Sequence, residues 1–170
     1  MPRFLGIDPG SRICGFGIVE RAGSTLKHVA NGVIKTAAAE TFEERLKMIY
    51  LGITEVCQTY TPHHVAIEKA FFAKNALSAL KLGQARGAAL TALSMAGFTV
   101  REISPNEVKQ SIVGYGHADK DQVQKMVERL LRISSLRSQD ASDALAIAIT
   151  LSNCQEFYLK RSEGAKGREL

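Results

Sequence analysis

The order of hydrophobic segments along the 170-residue chain predicts an α/β fold, with a five-stranded mixed sheet flanked by helices. Three segments with strand periodicity come first, and helices and strands then alternate, in the order βββαβαβααα. Three antiparallel strands followed by alternating helices and strands make a mixed sheet with helices on its faces. We expect residues 1–157 to form a single domain and residues 158–170 to form a basic, flexible C-terminal tail.

Three strands open the chain, and they are predicted at residues 3–8, 13–20 and 25–36. The first is short and apolar, and it ends at Asp8, where Pro9–Ser11 forms a tight turn. The second alternates in hydrophobicity and places Gly15 and Gly17 on one face. Two glycines on one face would let another element pack closely there.

The clearest helix spans Thr41 to Tyr60, where Thr41 and Glu44 match a capping box and the apolar residues form one stripe. The later elements are a strand at 64–68, a helix at 76–96, a strand at 98–103, and helices at 104–114, 119–132 and 140–157. The helix over 76–96 is rich in alanine, glycine and serine, so it could approach another helix closely.

Composition excludes several classes of protein. No apolar run is long enough to span a membrane, and the N-terminus lacks a secretory signal. The three cysteines are far apart and form no C-x-x-C pair, which argues against a zinc ribbon. Neither a Walker A motif nor a G-x-S-x-G motif occurs. We therefore expect a cytoplasmic protein with reduced cysteines.

The charge of the chain is moderately basic and unevenly distributed. The formal net charge is +5, and the pI is near 9.2. Five basic residues and no acid lie between Lys69 and Arg101, directly after an apolar strand that ends in Glu68. This stretch favours a nucleic-acid partner, with a solvated helix face as the alternative.

Four carboxylates lie within or at the end of apolar segments, where an unpaired charge is costly. Asp8 and Glu68 each end a predicted strand, and Asp140 and Asp143 share one face of the last helix. Sites in open α/β sheets lie at the carboxyl ends of strands, so we expect the four acids to converge. For Asp140 alone, a role as N-cap is an equal alternative.

Converging carboxylates repel one another unless a multivalent cation is present or some of them are protonated. Oxygen ligands suit Mg²⁺ or Mn²⁺ rather than Zn²⁺. Two such ions, about 3.5–4 Å apart, can clamp the attacking and leaving oxygens of a phosphoryl displacement. Acids at the centre with basic residues around them therefore predict a metal-dependent nuclease.

Four segments resemble, in order, the RuvC family of Holliday junction resolvases: GIDPGSRICGFGIVE, AIEKAFFAKNALSALKLGQARG, VKQSIVG and DASDALAIAIT. The resemblance runs from residue 3 to 152. It implies an RNase H-like fold, a homodimer, and Mg²⁺-dependent, symmetric nicking of two like strands of a four-way DNA junction. The ends would be 5′-phosphate and 3′-hydroxyl. The implied partners are a junction-binding protein and a branch-migration ATPase of the RuvA and RuvB type.

The resemblance also assigns roles to single residues. The implied catalytic acids and metal ligands, with two ions per subunit, are Asp8, Glu68, Asp140 and Asp143. Phe71 resembles an aromatic that stacks on bases near the crossover, and Lys109 and Lys120 resemble lysines near the scissile strand. Further DNA contacts are expected at three basic-stretch residues, Lys74, Lys81 and Arg86. Lys69 departs from the family, where glutamine is common. The helix over 76–96 is expected at the dimer interface, with close packing on the sheet as the alternative explanation of its small residues.

Other functions remain open at this point. A related RNase H-like nuclease that processes RNA is the first alternative, and the AFFAKN segment argues against it. A non-catalytic junction-binding module is the second, although spare acids would weaken phosphate binding. The GIDPGS segment also looks like the phosphate loop of a sugar-kinase or actin-like phosphotransferase, but that fold needs two lobes.

Overall fold

The computed structural model describes residues 1–69 and 75–166, with side chains described as far as Cys154. The elements are β1 (Arg3–Asp8), β2 (Ile13–Ala22), β3 (Thr25–Lys35), α1 (Phe42–Tyr60), β4 (His64–Glu68), α2 (Ala76–Met95), β5 (Val100–Ile103), α3 (Pro105–Val113), α4 (Lys120–Leu131) and α5 (Gln139–Lys166). The predicted order is confirmed, and the boundaries agree closely except at the end of α5.

The five strands form one mixed sheet in the order β3-β2-β1-β4-β5. Neighbours are antiparallel from β1 to β3, whereas β4 pairs in parallel with both β1 and β5. The parallel pairing of β1 and β4 is decisive for the site, because it brings the carboxyl ends of both strands to the same edge of the sheet.

The two faces of the sheet carry different helices. Phe4 of β1 and Ala66 of β4 lie in the core beneath α5, together with residues of α3 and α4. Leu5 and Ile7 face the opposite core, which α1 and α2 cover. Since side chains alternate along a strand, the β1 and β4 residues on the α5 side are the even-numbered ones. Asp8 therefore lies on the α5 side of the sheet.

Glycines in β1 and β2 let the backbone of α5 lie directly on the sheet. A Cβ added at Gly6 would lie 2.6 Å from the Ala148 nitrogen, and one at Gly17 would lie 2.5 Å from the Leu145 nitrogen. A Cβ at Gly15 would collide with the main chain of Asp140. The predicted close approach at Gly15 and Gly17 is confirmed, with α5 as the packed element.

Capping residues begin the helices where the sequence predicts. Capping boxes form at Thr41 with Glu44 and at Ser104 with Glu107, and Asp119 caps α4. Each side chain satisfies a backbone N–H that lacks a partner within its own helix.

Both ends of α5 differ from the prediction. The Ser138 hydroxyl accepts a hydrogen bond from the Ala141 N–H at 3.4 Å, so Ser138, not Asp140, is the N-cap. At the other end, the helix continues past Phe157 to Lys166. No proline occurs in this stretch, which is rich in helix-forming residues, so no sequence signal ends the helix at Phe157. The flexibility predicted for residues 158–170 stays a prediction.

The cysteines are all free thiols: Cys14 and Cys57 are buried and Cys154 is partly exposed. Among the described residues, no helix combines the length and the apolar character needed to cross a membrane.

Gly17→Ala is expected to lower the free energy of unfolding by about 2–3 kcal/mol, because its methyl group would meet the backbone of α5, which cannot move aside cheaply. Chemical denaturation measures this change. The matched control is Gly52→Ala in α1, where the added methyl meets the Ile34 side chain rather than a backbone and requires that side chain to shift. Alanine also favours the helix by about 1 kcal/mol, which offsets part of this repacking, so the control is expected to lose clearly less stability. Equal effects of the two substitutions would contradict the proposed packing constraint.

Candidate active site

Asp8 and Glu68 end adjacent parallel strands at one edge of the sheet. The register pairs Ile7 with Ile67, so the next residue of each strand is an acid. Both acids lie on the sheet face that α5 covers, because each is two residues beyond a position that packs beneath α5. The sequence-based expectation that these two strand-end acids are neighbours is confirmed.

Helix α5 brings the second pair of acids to the same edge. Asp8, Glu68 and Asp143 line one pocket of about 130 Å³. Asp140 is not among the lining residues, but its charge acts on the Asp8 carboxyl. The structure thus brings three of the predicted acids together directly and keeps the fourth within electrostatic range.

Two side chains hold the Asp143 carboxylate. Gln139 Nε2 donates a hydrogen bond to Asp143 Oδ1 at 2.9 Å. Lys120 Nζ lies 3.5 Å from Asp143 Oδ2, but the Lys120 side chain is 74% exposed, so water screens this ion pair. Sequence reasoning did not identify Gln139. The signal was available, since glutamine and aspartate four residues apart on a helix can form this bond.

The acids carry more negative charge than their surroundings compensate. Burial raises the pKa of Asp8 to about 8, and the charges of Glu68, Asp143 and Asp140 add to this, while Lys120 opposes them. Burial and the Asp143 charge also raise the pKa of Glu68, against a hydrogen bond with Asp8 and the charge of Lys120. Near neutral pH, the cluster therefore retains a proton when no cation is bound.

The donor set fits a hard divalent cation, because the four acids offer only oxygen ligands and lack a full complement of positive charge. As the side chains are placed, no three His, Cys, Asp or Glu residues in the described part of the chain could hold one ion. Binding of one ion by three of the acids would therefore require the carboxylates to draw together.

The predicted DNA-contacting residues fall into different environments. Lys109 of α3 and Lys120 of α4 line the acid pocket. Lys81 is exposed on α2, with its Nζ 5.9 Å from the centroid of the Phe42 ring. Phe71 and Lys74 lie outside the described residues.

The guanidinium of Arg86, another predicted DNA contact, is directed to protein atoms. Nε donates to the Glu68 carbonyl oxygen at 3.4 Å, and Nη2 lies 3.0 Å from Glu102 Oε1.

Two solved structures share this architecture. Thermus thermophilus RuvC in complex with Holliday junction substrate matches with a TM-score of 0.82 and 36% sequence identity, over 88% of this chain and 92% of that chain. The yeast mitochondrial Holliday junction resolvase Ydc2 matches with a TM-score of 0.66, over 88% of this chain and 77% of that chain. Its 12% identity shows the fold alone. The fold and the acid cluster together define an RNase H-like nuclease.

Sequence comparison gives the family. Residues 4–151 match the sequence model described as crossover junction endodeoxyribonuclease RuvC. The protein of that name from Geobacter sulfurreducens is 53% identical over 151 residues, which cover 89% of this chain and 92% of that protein. Its Pseudomonas fluorescens counterpart is 50% identical over 165 residues, covering 97% of this chain and 94% of that protein. The chain therefore belongs to the RuvC family of crossover junction endodeoxyribonucleases.

Asp8→Asn is expected to stabilise the metal-free protein at alkaline pH. The folded-state pKa of Asp8 lies above the unfolded value of 3.8, so the folded chain binds the proton more tightly. Wild-type stability should therefore fall as the pH rises from about 4 to about 8. Asparagine removes the ionisation, so the variant should exceed the wild type on the order of 2 kcal/mol at pH 8, and by less at pH 5.

Denaturation in EDTA at both pH values measures this difference. Asp121→Asn makes the same chemical change at an exposed position of α4 and serves as the control, with no stabilisation expected. A loss of stability in Asp8→Asn at pH 8 would contradict the uncompensated cluster.

Proposed function

We propose that the protein resolves four-way DNA junctions by nicking two strands of like polarity symmetrically, leaving 5′-phosphate and 3′-hydroxyl ends. The observation that carries this proposal is the cluster of undercompensated acids in a pocket bordered by Lys109 and Lys120. Support for the substrate comes from the solved Thermus thermophilus relative, whose complex contains a Holliday junction.

The four acids are proposed as ligands of Mg²⁺, with two ions per subunit and Mn²⁺ as a substitute. Asp8 and Glu68 would contribute from the strand ends, and Asp140 and Asp143 from α5. When bound, the ions would supply the positive charge that the cluster lacks and stabilise the attacking and leaving oxygens of the phosphodiester. Gln139 would hold the Asp143 carboxylate in place through its hydrogen bond to Oδ1.

Lys109 and Lys120 are proposed to bind the phosphates of the strand that enters the pocket. They lie on different helices, yet both border the space between the acids. Their charges would oppose the repulsion between the carboxylates and the DNA backbone, and lysine is a common phosphate ligand. Phe71 is retained as a proposed junction contact on the strength of the resemblance, and Lys74 and Lys81 on their place in the acid-free basic stretch.

A homodimer formed through α2 is the third part of the proposal. Leu77 and Leu80 on this helix are 62% and 59% exposed. A Cβ added at Gly83 or Gly87 would meet nothing within 4 Å. Exposed leucines beside glycines suit a close contact with a second copy of the helix. A two-fold dimer would place one site on each of the two strands to be cut.

The same proposal includes two protein partners that the family resemblance implies, a junction-binding protein and a branch-migration ATPase of the RuvA and RuvB type. It also includes a cytoplasmic location.

Cleavage of a mobile four-way junction, compared with a linear duplex of matched sequence, tests the function. With Mg²⁺, we expect paired symmetric nicks in the junction only, and EDTA should abolish them. Asp8→Asn should lose cleavage by about 100-fold or more and keep junction affinity, because it removes a proposed metal ligand rather than a phosphate contact. Asp121→Asn is the exposed, charge-matched control.

The other outcomes decide between the alternatives. Nicks in an RNA substrate in place of the junction would favour the RNA-processing nuclease. Junction binding by the wild type without nicks in any sequence context would leave a non-catalytic module. Loss of junction binding in Asp8→Asn would contradict its role as a metal ligand.

Leu80→Lys is expected to give a monomer at micromolar concentration, because the buried charge would oppose the proposed α2 contact. Sedimentation velocity should show the wild type at twice the 18.5 kDa of one chain and the variant at that mass. The control is Leu130→Lys, which alters an exposed leucine of α4. A dimeric Leu80→Lys would place the interface elsewhere.

A further inference from the structure

Arg86 connects helix α2 to the strand end that carries Glu68. Its Nε donates to the Glu68 carbonyl oxygen at 3.4 Å, and its Nη2 lies 3.0 Å from Glu102 Oε1 on β5. The Arg86 side chain is 18% exposed, whereas that of Glu102 is 48% exposed. One guanidinium therefore contacts both β4 and β5 near the edge of the sheet that forms the acid pocket.

Ladder geometry explains why the Glu68 carbonyl needs this donor. The Lys69 N–H donates to the Ile103 carbonyl of β5 at 2.8 Å, so the Glu68 carbonyl points the other way, towards β1. In the register that pairs Ile7 with Ile67, the next donor along β1 would come from residue 9. That residue is Pro9, which has no N–H. Strand pairing thus leaves this carbonyl without a partner.

We propose that Arg86 is a positioning residue: it replaces the hydrogen bond that Pro9 cannot give, fixes the end of β4, and so holds the Glu68 carboxylate in the acid pocket. The inference rests on the proposed function of Glu68 as a metal ligand. Pro9 follows Asp8 directly. The turn that ends β1 at Asp8 therefore also removes the hydrogen-bond donor that the Glu68 carbonyl would otherwise have.

The packing of α2 makes this reach possible. Ala85 and Ala89 are fully buried, in the same core as Val65 and Ile67 of β4. Arg86, next to Ala85, can then extend along the sheet surface to the strand end.

Arg86 acts on the Glu68 main chain rather than on its charge. Burial and the charge of Asp143 raise the pKa of Glu68, while the hydrogen bond with Asp8 and the charge of Lys120 lower it. Loss of Arg86 should therefore change where the carboxylate lies. A DNA contact by Arg86 would instead require the guanidinium to leave both Glu68 and Glu102.

The test compares full-length wild type, Arg86→Gln and Arg86→Lys. Arg86→Gln should keep metal-free junction affinity within about twofold, while its single-turnover cleavage at saturating junction falls about 10–100-fold, as for other residues that orient metal ligands. Calorimetric titration with Mn²⁺ alone should show weaker binding by a similar factor. Arg86→Lys, which keeps a donor, should recover part of both losses. Lys47→Gln, at an exposed lysine of α1, is the charge-matched control.

Each other outcome has a distinct meaning. A wild type that does not cleave the junction overturns the proposed function itself. Wild-type cleavage and Mn²⁺ affinity in Arg86→Gln overturn the positioning role. Metal-free junction binding weakened about tenfold or more would make Arg86 a DNA contact instead. If Arg86→Gln does not fold, Glu102→Ala removes only the outer partner and should lower cleavage in the same direction by roughly two- to fivefold; no effect there would also contradict the proposal.

Discussion

The contact between the backbone of α5 and the glycines of β1 and β2 is the constraint on which the site depends. Gly6 and Gly17 leave room for the helix main chain, and Gly15 does the same beside Asp140. With α5 lying directly on the sheet, its first turns extend over the carboxyl ends of β1 and β4. Any side chain at these glycines would lift the helix and separate its acids from Asp8 and Glu68.

This packing has an electrostatic cost that the fold only partly offsets. Burial and three neighbouring acids raise the pKa of Asp8 to about 8, and Lys120 is a screened counter-charge. Sites that bind ions are often less stable without them, because ligands arranged for a cation repel one another in its absence. The same negative charge that destabilises the metal-free protein is what a divalent cation would neutralise.

Much of the fold and of the acid cluster could be predicted from the sequence, because the residues that indicate them lie close together along the chain. Strand-end acids, capping residues and the paired Gly15 and Gly17 are each visible within a few residues, and they gave the element order and the acid cluster. The role of Arg86 was not visible. It depends on Pro9, which is distant in sequence and meets Glu68 only through the parallel register. The far end of α5 was also missed, because no residue there ends a helix.

A crystal structure of the protein soaked with Mn²⁺, with anomalous scattering to locate the metal, tests the central claim most directly. The account predicts anomalous peaks within ligand distance of Asp8, Glu68 and Asp143, about 2.0–2.3 Å from their carboxylate oxygens. It also predicts that Gly17→Ala, if it still folds, loses the anomalous peak beside Asp143 of α5. Mn²⁺ bound at full occupancy only at positions away from these acids, in protein that cleaves junctions under the same conditions, would contradict the account.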